Sequence, residues 1–134
     1  MAQSAPSERP LSPHLQVWRF TVTMAASITH RAAGAVLYGG TVLLALWMLA
    51  LAVSPGLFES VSAFMRSPIG FIIIAGYVWA LCFHLLNGLR YLYWDSGRGF
   101  ALKTATMTAW LSFGASFLLA AIILWAGFAA RGGA

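Results

Sequence analysis

The chain has 134 residues, of which 60% are hydrophobic and only 8% charged, with a formal net charge of +5. That balance excludes an ordinary soluble domain, and the length leaves room for one small helical membrane unit and nothing more. The eight basic residues are spread along an apolar chain, a distribution that reports membrane orientation rather than binding to nucleic acid.

Residues 1–20 hold Pro6, Pro10 and Pro13 among Ser, Gln and Arg, which predicts an extended cytoplasmic arm, because proline fixes φ and removes donors. A membrane domain is expected over 21–134. Thr21 or Thr23 is suited to cap its first helix, and the weakly polar stretch 20–28 suits the membrane interface. A charge-free run then covers 32–58, and the first span is predicted at about 24–53, stopped by Ser54, Pro55 and Gly56. The next segment, 57–67, reads as a short loop with a partial helical turn in LFESVSAFM.

Pro68 suits the first turn of a second span, predicted at 67–94; Tyr91, Tyr93 and Trp94 lie at its inner end, the level of an aromatic belt. Gly97 and Gly99 break the helix, and a third span is predicted at 102–130. Each charge-free run is long enough to cross a hydrocarbon core roughly 30 Å thick. Backbone groups in lipid must pair within the span, and runs such as FIIIAG do not alternate as barrel strands do. The fold class is therefore all-α: an integral membrane unit of three transmembrane helices.

Arg9, Arg19 and Arg31 precede the first span; Arg90, Arg98 and Lys103 lie between the second and third; the opposite side has Arg66 and Arg131. The positive-inside rule puts the N-terminus in the cytoplasm or the mitochondrial matrix. Neither a secretory signal nor an Arg/Ser-rich transit sequence is evident, so a bacterial inner membrane is expected ahead of a mitochondrial one. The single cysteine, Cys82, excludes an intrachain disulfide and suits apolar packing mid-span.

The charge-free run 67–89 contains one ionisable group that does not belong in lipid, His84. It precedes Arg90 by six residues, a depth of about 9 Å below that charge. Ionisable groups at such depth face protein, a cavity or a cofactor. A neutral imidazole ligates iron well, and Gly88, at i+4, leaves room on the same face for a flat macrocycle. A packing histidine and a proton-transfer group remain the alternatives. The only acids, Glu8, Glu59 and Asp95, lie outside the apolar runs, which disfavours a pump, channel or proton-coupled transporter. Ser27 and Arg31 share a helix face with His30 beside them. Hydroxyl, imidazole and guanidinium donors converging there suit a carboxylate or a quinone carbonyl. The alternative is an arginine that snorkels to lipid phosphates.

The segments RPLSPHLQVWRF, SITHRAAG and HLLNGLRYLYWD resemble the cytochrome b subunit of succinate dehydrogenase, the membrane anchor of succinate:ubiquinone oxidoreductase (respiratory complex II). The family pattern is an Arg-Pro-Leu-Ser-Pro-His-Leu arm, then Ser-x-x-His-Arg-x-x-Gly, then His-x-x-x-Gly-x-Arg-His-x-x-x-Asp. The resemblance implies a haem b whose iron takes His84 as one axial ligand and a histidine of a second small membrane subunit as the other. It implies a ubiquinone site at Ser27 and Arg31, haem propionates near His30 and Arg31, and support for the quinone end from Asp95. It also implies an iron–sulfur subunit and a flavoprotein subunit, which carry the iron–sulfur clusters and the FAD. The chain would then be no enzyme alone, but part of the link between the tricarboxylic acid cycle and electron transport. One departure is plain: Tyr91 stands where the family usually has histidine. A haem-free structural anchor is the rival.

Overall fold

The structure, a computed structural model, describes residues 18–132. The arm expected over 1–20 lies outside the described residues as far as residue 17. Four helices follow: α1 (Val22–Val53), α2 (Pro55–Met65), α3 (Pro68–Asp95) and α4 (Leu102–Gly132). Three of them, α1, α3 and α4, are long and apolar enough to cross a membrane, which bears out the all-α, three-span expectation.

The helix ends follow local chemistry. The Thr21 hydroxyl caps α1 by accepting from the Met24 N–H at 3.4 Å. Ser54 serves two helices: its N–H donates to Ala50 O at 2.9 Å, closing α1, and its hydroxyl accepts from the Leu57 N–H at 3.4 Å, opening α2. Pro55 then occupies the first turn of α2, where a missing N–H costs nothing. So Ser54 and Pro55 do not introduce a loop; they turn the chain directly into an 11-residue helix. That helix is pinned to α1 by Trp47 Nε1, which donates to Ser62 Oγ at 3.2 Å, and by the Trp47–Phe58 ring stack at 5.7 Å. The turn after α3 uses Gly97 and Gly99 at φ 78° and 84°, the left-handed region where a Cβ is disfavoured.

Helix α3 is central, packing on α1, α2 and α4. Its seams are lined by small residues: Ala26 and Ala33 of α1, Ala80 of α3 and Ala109 of α4 are all buried around Phe83. Small side chains let membrane helices approach closely, since lipid supplies no hydrophobic drive for helix association. The Phe83–Phe113 and Trp79–Phe117 pairs, at 4.7 and 5.1 Å, continue the α3–α4 seam. Large apolar side chains such as Leu43, Ile72, Leu118 and Trp125 point outward, as a chain surrounded by lipid or by other membrane helices requires.

Arg90 departs from its expected place at a charged edge. It is 5% exposed, wedged between α3 and α4. Its Nε donates to Thr108 Oγ1 at 3.0 Å, one terminal nitrogen to Ala105 O at 3.1 Å and the other to Asn87 Oδ1 at 3.4 Å. The guanidinium also lies 4.0 Å from the centre of the Trp94 ring. Arg98 and Lys103 remain exposed on that side.

Candidate functional site

Three contacts define how α1 meets α3. A Cβ added at Gly40 would run into the Tyr77 ring; one at Gly34 would meet His84 Nε2 at 3.3 Å; and the His30 ring meets Tyr91. As the α1 number falls the α3 number rises, so the two helices are antiparallel. On α3 the stripe is Tyr77, His84, Tyr91, one residue every seven, a spacing that returns to the same helix face. His84 therefore faces α1 and does not point simply into lipid.

The His84 ring is half-buried and held on two sides. Its flat face carries the His30 ring, with centroids 4.0 Å apart and planes 14° apart. Its Nε2–Cδ2 edge lies against Gly34, where even one added carbon would be tight. The Tyr91 ring stands perpendicular to His30 at 5.0 Å and 90°. Beside His84, a Cβ at Gly88 would meet nothing within 4 Å, so the expected free space on that face is present. His30 Nε2 is buried without a hydrogen-bond partner among the described residues, and a buried polar atom left open in this way calls for a partner.

Ser27 is half-buried and Arg31 exposed, both on the side of α1 next to His30. Asp95, the last residue of α3, is exposed. No hydrogen bond among the described residues joins these three to one another. The structure thus brings His30 and His84 together, leaves Ser27 and Arg31 as an open rim, and keeps Asp95 apart. It adds Gly34 and Tyr91 to the site. Gly34 closes the Ser-x-x-His-Arg-x-x-Gly segment, four residues after His30, and Tyr91 lies seven after His84; both intervals were visible in the sequence.

Among the described residues no three His, Cys, Asp or Glu side chains gather to hold a bare metal ion. A lone imidazole is not a chelate. A recessed histidine beside an empty glycine face suits axial ligation of an iron that brings its own planar ring of donors. Two apolar grooves, one lined by Gly40, Trp47 and Tyr77, the other by Phe71, Val78 and Phe128, lie toward the α2 end and include neither histidine. The half-buried His84 keeps part of its surface open.

A family model described as "Succinate dehydrogenase/Fumarate reductase transmembrane subunit" matches residues 5–123. The chain belongs to that family. It is 41% identical over 124 residues to the succinate dehydrogenase cytochrome b556 subunit of Paracoccus denitrificans, covering 92% of this chain and 95% of that one. It is 40% identical over 129 residues to the mitochondrial succinate dehydrogenase cytochrome b560 subunit of Mus musculus, covering 92% and 72%. The Rickettsia prowazekii cytochrome b556 subunit is 30% identical over 119 residues, covering 89% and 92%. With its three apolar helices, the chain is a multi-pass membrane protein, and the bacterial relatives accord with a bacterial membrane location.

Proposed function

We propose that this chain is the haem b-binding membrane anchor subunit of a succinate:ubiquinone oxidoreductase of a bacterial inner membrane, and that it forms part of the quinone-reduction site. The observation that carries this reading is His84: a recessed imidazole fitted against Gly34 and His30, with an open face at Gly88. The residues fit the group. His84 would hold the iron through a ring nitrogen. His30 Nε2, buried without a partner among the described residues, and the Arg31 guanidinium would be the donors for the propionates. Haem, when bound, supplies a one-electron redox centre within the membrane.

The half-open histidine face needs a cover, and a second small membrane subunit that brings a further histidine for the iron would meet that need. Iron–sulfur and flavoprotein subunits dock on the cytoplasmic side, where the N-terminus and the α3–α4 turn lie in this reading; succinate is oxidised there and not by this chain. Electrons reach ubiquinone at the rim formed by Ser27 and Arg31. The exposed Arg31 presents a planar fork of donors to a quinone carbonyl oxygen, and Ser27 adds a hydroxyl donor. These groups orient the head group and stabilise negative charge as it develops on the oxygen. Asp95, exposed at the end of α3, supports the quinone end from outside this first contact.

Gentle detergent purification of the tagged chain tests this function. The expected outcome is co-purification of a flavoprotein, an iron–sulfur protein and a second small membrane protein, with a haem b band in the reduced-minus-oxidised spectrum. The same assembly without a haem band would reduce the chain to a structural anchor.

A further inference from the structure

The haem reading leaves one feature of this chain without a role: the departure at Tyr91, and the ring stack it joins. An imidazole turns about its last side-chain bond in a broad, shallow well, so its own rotamer does not fix the plane of the ring. The plane must be set by what the ring touches. For His84 the contacts are the His30 ring, 4.0 Å away and within 14° of parallel, and the bare backbone at Gly34, which admits the Nε2 edge.

His30 is itself a side chain with the same rotational freedom. Its Nε2 has no hydrogen-bond partner among the described residues, so no such bond at that atom fixes its plane. The Tyr91 ring packs against it at 5.0 Å and 90°, the perpendicular arrangement that aromatic rings favour. Tyr91 is in turn packed beside Trp94 at 5.6 Å, and Trp94 is fixed by its Nε1 hydrogen bond to Gly99 O at 3.2 Å and by the Arg90 guanidinium. A continuous chain of contacts therefore runs from the α3–α4 turn through Trp94, Tyr91 and His30 to His84.

We infer that His30 and Tyr91 are positioning residues that set the plane of the His84 imidazole by ring packing, His30 through its flat face and Tyr91 through its perpendicular contact with His30. This rests on His84 being the haem ligand. Groups that orient a metal-ligating histidine tune the metal it holds. On this inference the histidine usual in the family at position 91 is dispensable here because an aromatic ring, not a second imidazole, performs the task. His30 Nε2 remains free for a propionate; the ring face and the ring nitrogen have separate duties.

The separation makes the test decisive. Four variants are made in the complete complex: His30→Phe keeps a flat ring without a nitrogen, His30→Gln keeps a hydrogen-bonding group without a ring, Tyr91→Phe keeps the aromatic ring, and Tyr91→Leu removes it. The readouts are haem content, the low-spin ferric EPR line position and width, and the haem midpoint potential. Haem absent from the unmodified complex would overturn the ligand assignment itself. With haem present, the EPR line of Tyr91→Phe is expected to match the unmodified complex, while His30→Gln and Tyr91→Leu shift or broaden it by more than the linewidth, or lose haem; His30→Phe, which also gives up the propionate donor, is expected to move the line less than His30→Gln does. The inference is overturned, with the ligand assignment intact, if His30→Gln and Tyr91→Leu both leave the line in place, or if His30→Phe moves it as far as His30→Gln does. Because Tyr91→Leu acts at a half-buried position on another helix, misassembly of the His30→Gln complex does not remove the test.

Discussion

The two seams of α3 bury polar groups in opposite ways. On the α4 side, the guanidinium of Arg90 meets Thr108, Ala105 O, Asn87 and the Trp94 face. On the α1 side, two imidazoles are stacked face to face, and one ring nitrogen has no partner among the described residues. A buried charge is tolerable when its donors are satisfied, so the α4 seam reads as a lock. An unsatisfied buried polar atom reads as one end of an unfinished interaction. The division holds for the charge only, since Asn87 Nδ2 and Trp79 Nε1, both beside α4, are also buried without a partner among the described residues. The difference teaches that a buried charge must be fully paired to hold a membrane helix seam, whereas a neutral ring can be left with an open nitrogen.

The sharpest break between the seams should come at the rim of the α1 side. Arg31→Leu is expected to lower succinate:quinone reductase activity on the order of 100-fold, the typical loss when one preorganised donor to a developing oxyanion is removed. Succinate oxidation by an artificial acceptor and the thermal stability of the complex should hardly change. An unchanged quinone rate would remove Arg31 from the site.

Arg90→Leu should do the reverse. It deletes three hydrogen bonds from a charged donor, a class of interaction that contributes about 1.5–3 kcal/mol for a strong example, and leaves Asn87 buried with one fewer partner. A lower midpoint temperature for the assembled complex, with the haem band at its usual wavelength, is the expected result. A variant as stable as the parent would mean that the α4 seam does not depend on this lock.

Ser27→Ala is expected to raise the KM for quinone severalfold, in line with about 1 kcal/mol for one neutral hydrogen bond, with steady-state kinetics as the check. The smallest effect is expected from Gly34→Ala. Its new carbon would stand 3.3 Å from His84 Nε2, so the ring must give by a few tenths of an ångström; haem should remain bound while its absorption or EPR line shifts slightly. Loss of haem in that variant would mean that the seam has less tolerance than the structure gives it.

The three spans were legible because charge-free length alone decides them. Helix α2 was not. Ser54 and Pro55 carry the same signal whether they end one helix or begin the next, and only the double capping at Ser54 distinguishes the two. Arg90 was read as a marker of the membrane surface, since a sequence gives the depth of a residue along a helix but not whether its neighbour is water or another helix. At the site, His84 and the Ser27–Arg31 rim were visible as misplaced polar groups. The His30–His84 stack was not, because it depends on the register of α1 against α3, and no local pattern states which residue of one helix lies opposite which residue of the other. Once that register is known, the intervals from His30 to Gly34 and from His84 to Tyr91 explain themselves.

The most direct measurement is the reduced-minus-oxidised spectrum of the complex carrying His84→Ala, recorded beside the unmodified complex at equal flavin content. The haem b band should be present in the parent and abolished or grossly altered in the variant, with the soluble subunits still attached. A band of full height and unchanged position in the variant would contradict the assignment, because iron would then be held without the imidazole on which the rest of the site is built.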